Sequence, residues 1–64
     1  MTPEELVVKI KEIKKRMRLT EGKLATRIGV DTRYISDILE GRVGALPWNV
    51  FDKIEHAVDD LDDL

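Results

Sequence analysis

The sequence predicts an all-α fold: a compact four-helix bundle, with room for a fifth short turn at its end. Three observations carry that expectation. Apolar residues recur at helical spacing in four stretches, and nothing alternates with a period of two over a useful length. Helix punctuation falls at the ends of those stretches, with threonine, aspartate or proline at the starts and glycine after the second and third. Finally, 64 residues allow one core only, and with 42% apolar and 38% charged residues the chain has the balance of a globular domain, not of a disordered tail.

Thr2-Pro3-Glu4-Glu5 reads as a helix start, with Thr2 as N-cap, Pro3 at the first helical position and Glu5 completing a capping box. Leu6, Ile10, Ile13 and Met17 then form one stripe, widened by Val7, so the first helix is expected over 3–17. Val8 points away from the stripe. Thr20 caps a second helix over 21–28, in which Leu24, Ala25 and Ile28 face inward. Gly29 stands where a left-handed residue ends a helix, a conformation that glycine adopts without strain. Asp31 caps a third helix over 32–40, with Ile35, Ile38 and Leu39 apolar and Gly41 closing it. A loop from Gly41 to Leu46 leads to Pro47 and a fourth helix over 48–58, built on Val50, Phe51, Ile54, Ala57, Val58 and Leu61. Trp48 is expected in the core or packed at its edge, and His56, outside the stripe, in solvent.

Charge is strongly polarised although the net charge is only −2. Residues 9–42 carry ten basic groups against five acids, whereas residues 43–64 carry Lys53 against six acids. Local potential, more than net charge, steers a polyanion. The acidic tail 59–64 opposes the negative end of its own helix dipole, so fraying is expected beyond Leu61, with the tail holding its own end away from phosphate.

The second helix, glycine turn and third helix make a helix-turn-helix unit over 21–40. Its close crossing needs a small residue, a positive φ and a branched apolar residue at fixed spacing. Ala25, Gly29 and Ile35 supply them, with Leu24, Ile28, Val30 and Ile38 filling the other inward positions. The run Leu19 to Gly41, LTEGKLATRIGVDTRYISDILEG, resembles the phage-repressor (Cro-like, lambda-repressor-like) helix-turn-helix family. Together with the flanking helices, the resemblance covers most of the chain. The sequence departs from the family pattern at Glu21, where glutamine is frequent, at Leu39, where an acid is frequent, and in having no full fifth helix.

The resemblance implies a sequence-specific double-stranded DNA-binding regulator, repressor-like, acting as a homodimer in the cytoplasm on the nucleoid. It makes helix 31–40 the recognition helix in the major groove. Thr32, Arg33 and Asp37 are then the base-reading candidates, with Tyr34 and Ser36 beside them; the guanidinium fork of Arg33 suits guanine O6 and N7. Lys14, Arg18, Lys23 and Arg42 are phosphate candidates, which position without specifying, as are the amides opening the second helix. Taken alone, Thr32 and Ser36 read more readily as solvent-facing residues than as base contacts, whereas for Arg33 the base-reading role outweighs that of a stem shielding apolar surface, and Tyr34 divides evenly between packing on the loop and touching phosphate.

Other classes find little support. No cysteine is present and His56 is the one histidine, so no cofactor or metal is expected. Ser36 and His56 fall on different helices with no orienting motif, which argues against an enzyme. No apolar run is long enough for a membrane span or a signal peptide, and neither is expected. The competing reading is a helix-turn-helix domain reused as a protein-binding module (an anti-repressor, antitoxin or adaptor) with the acidic tail meeting a partner.

Overall fold

Side-chain oxygens open each of the first three helices. In the computed structural model, which describes residues 1–63, Thr2 Oγ1 accepts from the Glu5 amide at 3.2 Å and gives its own proton to the Glu5 carboxylate at 3.1 Å. That cap starts α1, Pro3–Arg16. Thr20 Oγ1 accepts from the Lys23 amide at 3.2 Å to start α2, Glu21–Ile28, and Asp31 accepts from the Arg33 amide at 3.0 Å to start α3, Thr32–Leu39. Such caps satisfy amides that have no partner within the helix.

The same three helices end in left-handed residues. Gly29 at φ 91° closes α2, and both its amide and that of Val30 donate to the Ala25 carbonyl, as the turn between the two motif helices requires. Gly41 at φ 84° closes α3, with its own amide on Ile38 and the Arg42 amide on Asp37. The third such residue is Arg18, at φ 53°, with no glycine to ease it. Its amide donates to Lys15 and the Leu19 amide to Lys14, the paired hydrogen bonds of a Schellman ending. Sequence spacing marked the two glycines and gave no sign of the strained arginine.

After a single 3-10 turn, Val43–Ala45, α4 runs over Trp48–Asp62. Among the described residues there is no strand, and no helix is long and apolar enough to cross a membrane. Leu6, Ile10 and Ile13 of α1 meet Leu24, Ala25 and Ile28 of α2, Ile35 and Ile38 of α3, Val43, and Ile54 and Val58 of α4 in one wholly apolar core. No polar or charged residue is buried among them. Full burial of each such aliphatic side chain is worth about 1.5–3 kcal/mol. With no titratable group inside, whatever chemistry the domain has lies on its surface.

Two expectations are corrected. The fourth helix, expected over 48–58, continues to Asp62, because α1 supplies the cations that the acidic segment lacks. Lys9 Nζ lies 2.5 Å from Asp62 Oδ2, Arg16 lies 3.7 Å from Asp62 Oδ1, and Arg16 Nη2 donates to the Leu61 carbonyl at 3.4 Å. Positive charge at the C-terminal end offsets the dipole penalty of the carboxylates, and half-buried Leu61 packs against the core. Packing of Leu61 thus carries the helix to one residue past it, as its place on the apolar stripe of Val50, Ile54 and Val58 allows; Leu64, the last residue of the segment, lies outside the described residues. Trp48, expected in or beside the core, is 86% exposed. It stands at the first position of α4, and the small residues of the preceding turn do not cover its ring. Its ring meets Phe51 edge-on, at 6.1 Å between centroids.

Candidate nucleic-acid interface

The crossing of α2 and α3 fixes one continuous outer surface. Ile35 and Ile38 point into the core, so Thr32, Arg33, Ser36, Asp37 and Glu40 share the opposite side of α3. The first turn of α2 abuts that side. A Cβ placed on Gly22 would stand 3.9 Å from Thr32 Oγ1, and Ser36 Oγ donates to Glu21 Oε1 at 2.5 Å. Lys23 is exposed on the same first turn. Its amide and that of Leu24 are engaged by Thr20, so the Glu21 and Gly22 amides are the ones left at the open end of α2.

The candidate side chains fall into two states. Thr32 and Arg33 are exposed, the Arg33 guanidinium resting 5.2 Å from the centre of the half-buried Tyr34 ring. Ser36 and Asp37 are half-buried and already engaged. Asp37 Oδ1 accepts from Arg42 Nη2 at 3.0 Å, and the same Arg42 nitrogen pairs with Glu40. Arg42 is therefore a bridge between two carboxylates at the C-terminal end of α3, and their hydrogen bonds and charge hold its guanidinium still more firmly protonated. Such exposed pairs are individually weak and compete readily with another anion.

Positive charge surrounds the α3 surface more than it covers it. On α3 itself Arg33 is the single cation, and the Asp37, Glu40 and Arg42 cluster carries one net negative charge. Lys23 stands at the opening of α2, and Arg27 near its end, where it reaches the Met17 sulfur at 3.9 Å. Lys14 and Arg18 stand at the corner from α1 into α2, with Lys14 half-buried and Arg18 exposed. The structure thus brings Thr32, Arg33, Tyr34, Ser36 and Asp37 onto one helix beside Lys23. It diverts Arg42 to an internal pairing.

Sequence reasoning missed the partners that hold these groups. Glu21 is the acceptor for Ser36, and Asp37 is tied to Arg42 across the Gly41 turn. The second pairing carried a signal, since a Schellman ending returns the residue after the glycine over the last turn of the helix. The first carried none, because it depends on how two helices cross. In comparison with family models, curated proteins and solved structures, nothing matches the chain.

Proposed function

We propose that the chain is a sequence-specific double-stranded DNA-binding regulator, repressor-like, that reads the major groove with α3 and works as a homodimer. The observation that carries this reading is the juxtaposition of exposed Thr32 and Arg33 with the open first turn of α2. A helix able to enter a groove then stands beside amides and Lys23 placed for the flanking phosphates. The likeness of residues 19–41 to the phage-repressor helix-turn-helix pattern supports the same assignment.

Roles divide by chemistry. Arg33 reads a guanine through its planar fork, Thr32 meets a neighbouring base, and Ser36, its proton committed to Glu21, offers only acceptor lone pairs. Asp37 stays with Arg42 until a cytosine amine competes for it, and Lys14, Arg18 and Lys23 meet phosphates. The test is affinity against salt, for a duplex recovered by selection from a random pool. Phosphate contacts require log K to fall linearly with log salt. Arg33→Ala should relax preference at one base pair and cost about 1–3 kcal/mol, while Lys23→Ala weakens all sequences alike and flattens the salt slope by about one. Identical behaviour of the two variants removes α3 from the groove.

One observation favours the second reading, a helix-turn-helix domain turned to protein binding. Ser36 and Asp37 are both engaged within the domain, so part of the recognition surface is already spent on the fold. A flat salt dependence and no duplex recovered by selection would transfer the conclusion to that reading.

A further inference from the structure

Among the described residues three large apolar side chains remain exposed: Met1 at 41%, Val8 at 52% and Trp48 at 86%. They are far apart in sequence, yet all three line two adjoining grooves of about 450 and 420 Å³ that share Pro3, Val43 and Gly44. The floor is half-buried Leu46 and Phe51 in one groove and half-buried Val7 in the other. No residue of α2 or α3 lines either groove, so this surface is separate from the candidate DNA interface. A domain of this size gains nothing in folding from a tryptophan left in water, and contiguous exposed apolar surface marks interaction sites.

The charge around the grooves selects the occupant. Every side chain that lines them and ionises is acidic: Glu4, Asp52 and Glu55. The Met1 ammonium, 3.2 Å from Glu55 Oε2, offsets one of the three, and His56 lies 3.6 Å from Asp52 Oδ1, offsetting it only when protonated. A second copy docked about a two-fold axis would set this acidic rim against itself, which is unfavourable, and a head-to-tail contact with the basic side of α1 would build a ring or an open filament in place of the proposed two-fold dimer. We infer that the Trp48 surface is a docking site for another protein: an amphipathic segment that is apolar on one face and flanked by lysine or arginine. Trp48 and Met1 grip the apolar face, Val8 extends the contact along α1, and Glu4, Asp52 and Glu55 meet the flanking cations.

Trp48 is the one tryptophan of the chain and reports on its own surface. The probes are a synthetic amphipathic helix of leucine and lysine and its counterpart with every lysine replaced by glutamate. The lysine peptide should move Trp48 emission to shorter wavelength with micromolar affinity, and the glutamate peptide should leave it unchanged. The joint variant Glu4→Gln, Asp52→Asn, Glu55→Gln should weaken the lysine peptide roughly tenfold, whereas Asp59→Asn, Asp60→Asn, Asp63→Asn should keep its affinity. Trp48→Ala, followed by anisotropy of a labelled peptide and checked for folding by circular dichroism, should also lose affinity. Equal response to both peptides, no response at millimolar peptide, or equal loss in the two acidic variants would each overturn the assignment. A shift of Trp48 that follows protein concentration alone, with a matching rise in sedimentation, would overturn it in favour of a second copy.

Discussion

Gly29 is the position where one added methyl group tests the helix-turn-helix argument most directly. At φ 91° and ψ 35° the residue is left-handed, and a Cβ there would stand 3.3 Å from Lys53 Nζ and 3.4 Å from Lys53 Cε. Both atoms belong to the far end of an exposed, flexible side chain, which swings aside at little cost. What remains is the backbone term, about 1–2 kcal/mol for an L-residue held in this region and more for a β-branched one. Domains of about this size move by about 4–8 °C in Tm per kcal/mol, so Gly29→Ala should melt roughly 5–15 °C below the parent, and Gly29→Val lower still. Arg18→Gly is the matched control. The arginine occupies the same region at φ 53°, so glycine there should leave stability unchanged or raise it by up to about 1 kcal/mol, after its own entropic cost. Thermal and urea melts by far-ultraviolet circular dichroism give both values, with an unchanged urea slope showing that only stability moved. Unaltered melting of Gly29→Ala would show that the turn relaxes freely, and the spacing argument for the motif would fall with it.

Two further outcomes follow from charge. Asp62 is held below its ordinary 3.8 by the hydrogen bond from Lys9, helped by the Lys9 and Arg16 charges. A depressed carboxylate stabilises the fold above its unfolded pKa and loses that contribution as pH falls through the folded one. The urea midpoint of the parent should therefore decline below about pH 4, and Asp62→Asn should remove that part of the decline; an identical acid profile would show that the contact carries no stability. His56 is raised above 6.5, first by its Nδ1 hydrogen bond to the Asp52 carbonyl at 2.8 Å and then by the Asp52 carboxylate. Its contribution is complete below 6.5 and is lost as pH rises through the raised value. An NMR titration should find the imidazole above 6.5, with Asp52→Asn bringing it part of the way back; a midpoint at or below 6.5 would refute the pairing.

The starts of α1 to α3 and the end of α2 were legible in the sequence, because caps and glycine turns are local chemistry within a few residues. The core was legible for a similar reason, since Leu6, Ile10, Ile13, Ile35, Ile38, Ile54 and Val58 follow helical periodicity. The end of α4 was not. Local rules weigh only the carboxylates at 59, 60, 62 and 63 against the dipole, whereas the deciding cations come from Lys9 and Arg16, 53 and 45 residues away from their partners. Arg18 escaped notice because the rule for a left-handed helix end looks for glycine, and tertiary packing imposed the corner on another residue. At the candidate interface the helix and its outward register could be read from periodicity. Which side chains remain free could not, because Glu21 and Arg42 claim Ser36 and Asp37 through the crossing of α2 and α3 and the turn after it.

The clasp between Lys9 and Asp62 also bears on the order in which the molecule assembles. The Ser36–Glu21 contact spans 15 residues, while Lys9–Asp62 spans 53, and closing the longer loop costs roughly 1 kcal/mol more in chain entropy. Topology of this kind favours early pairing of α2 with α3, with α4 laid onto α1 afterwards. A contact formed after the transition state leaves the folding rate almost untouched and acts on unfolding alone. Whatever stability the acidic end of α4 adds would then slow unfolding more than it speeds folding.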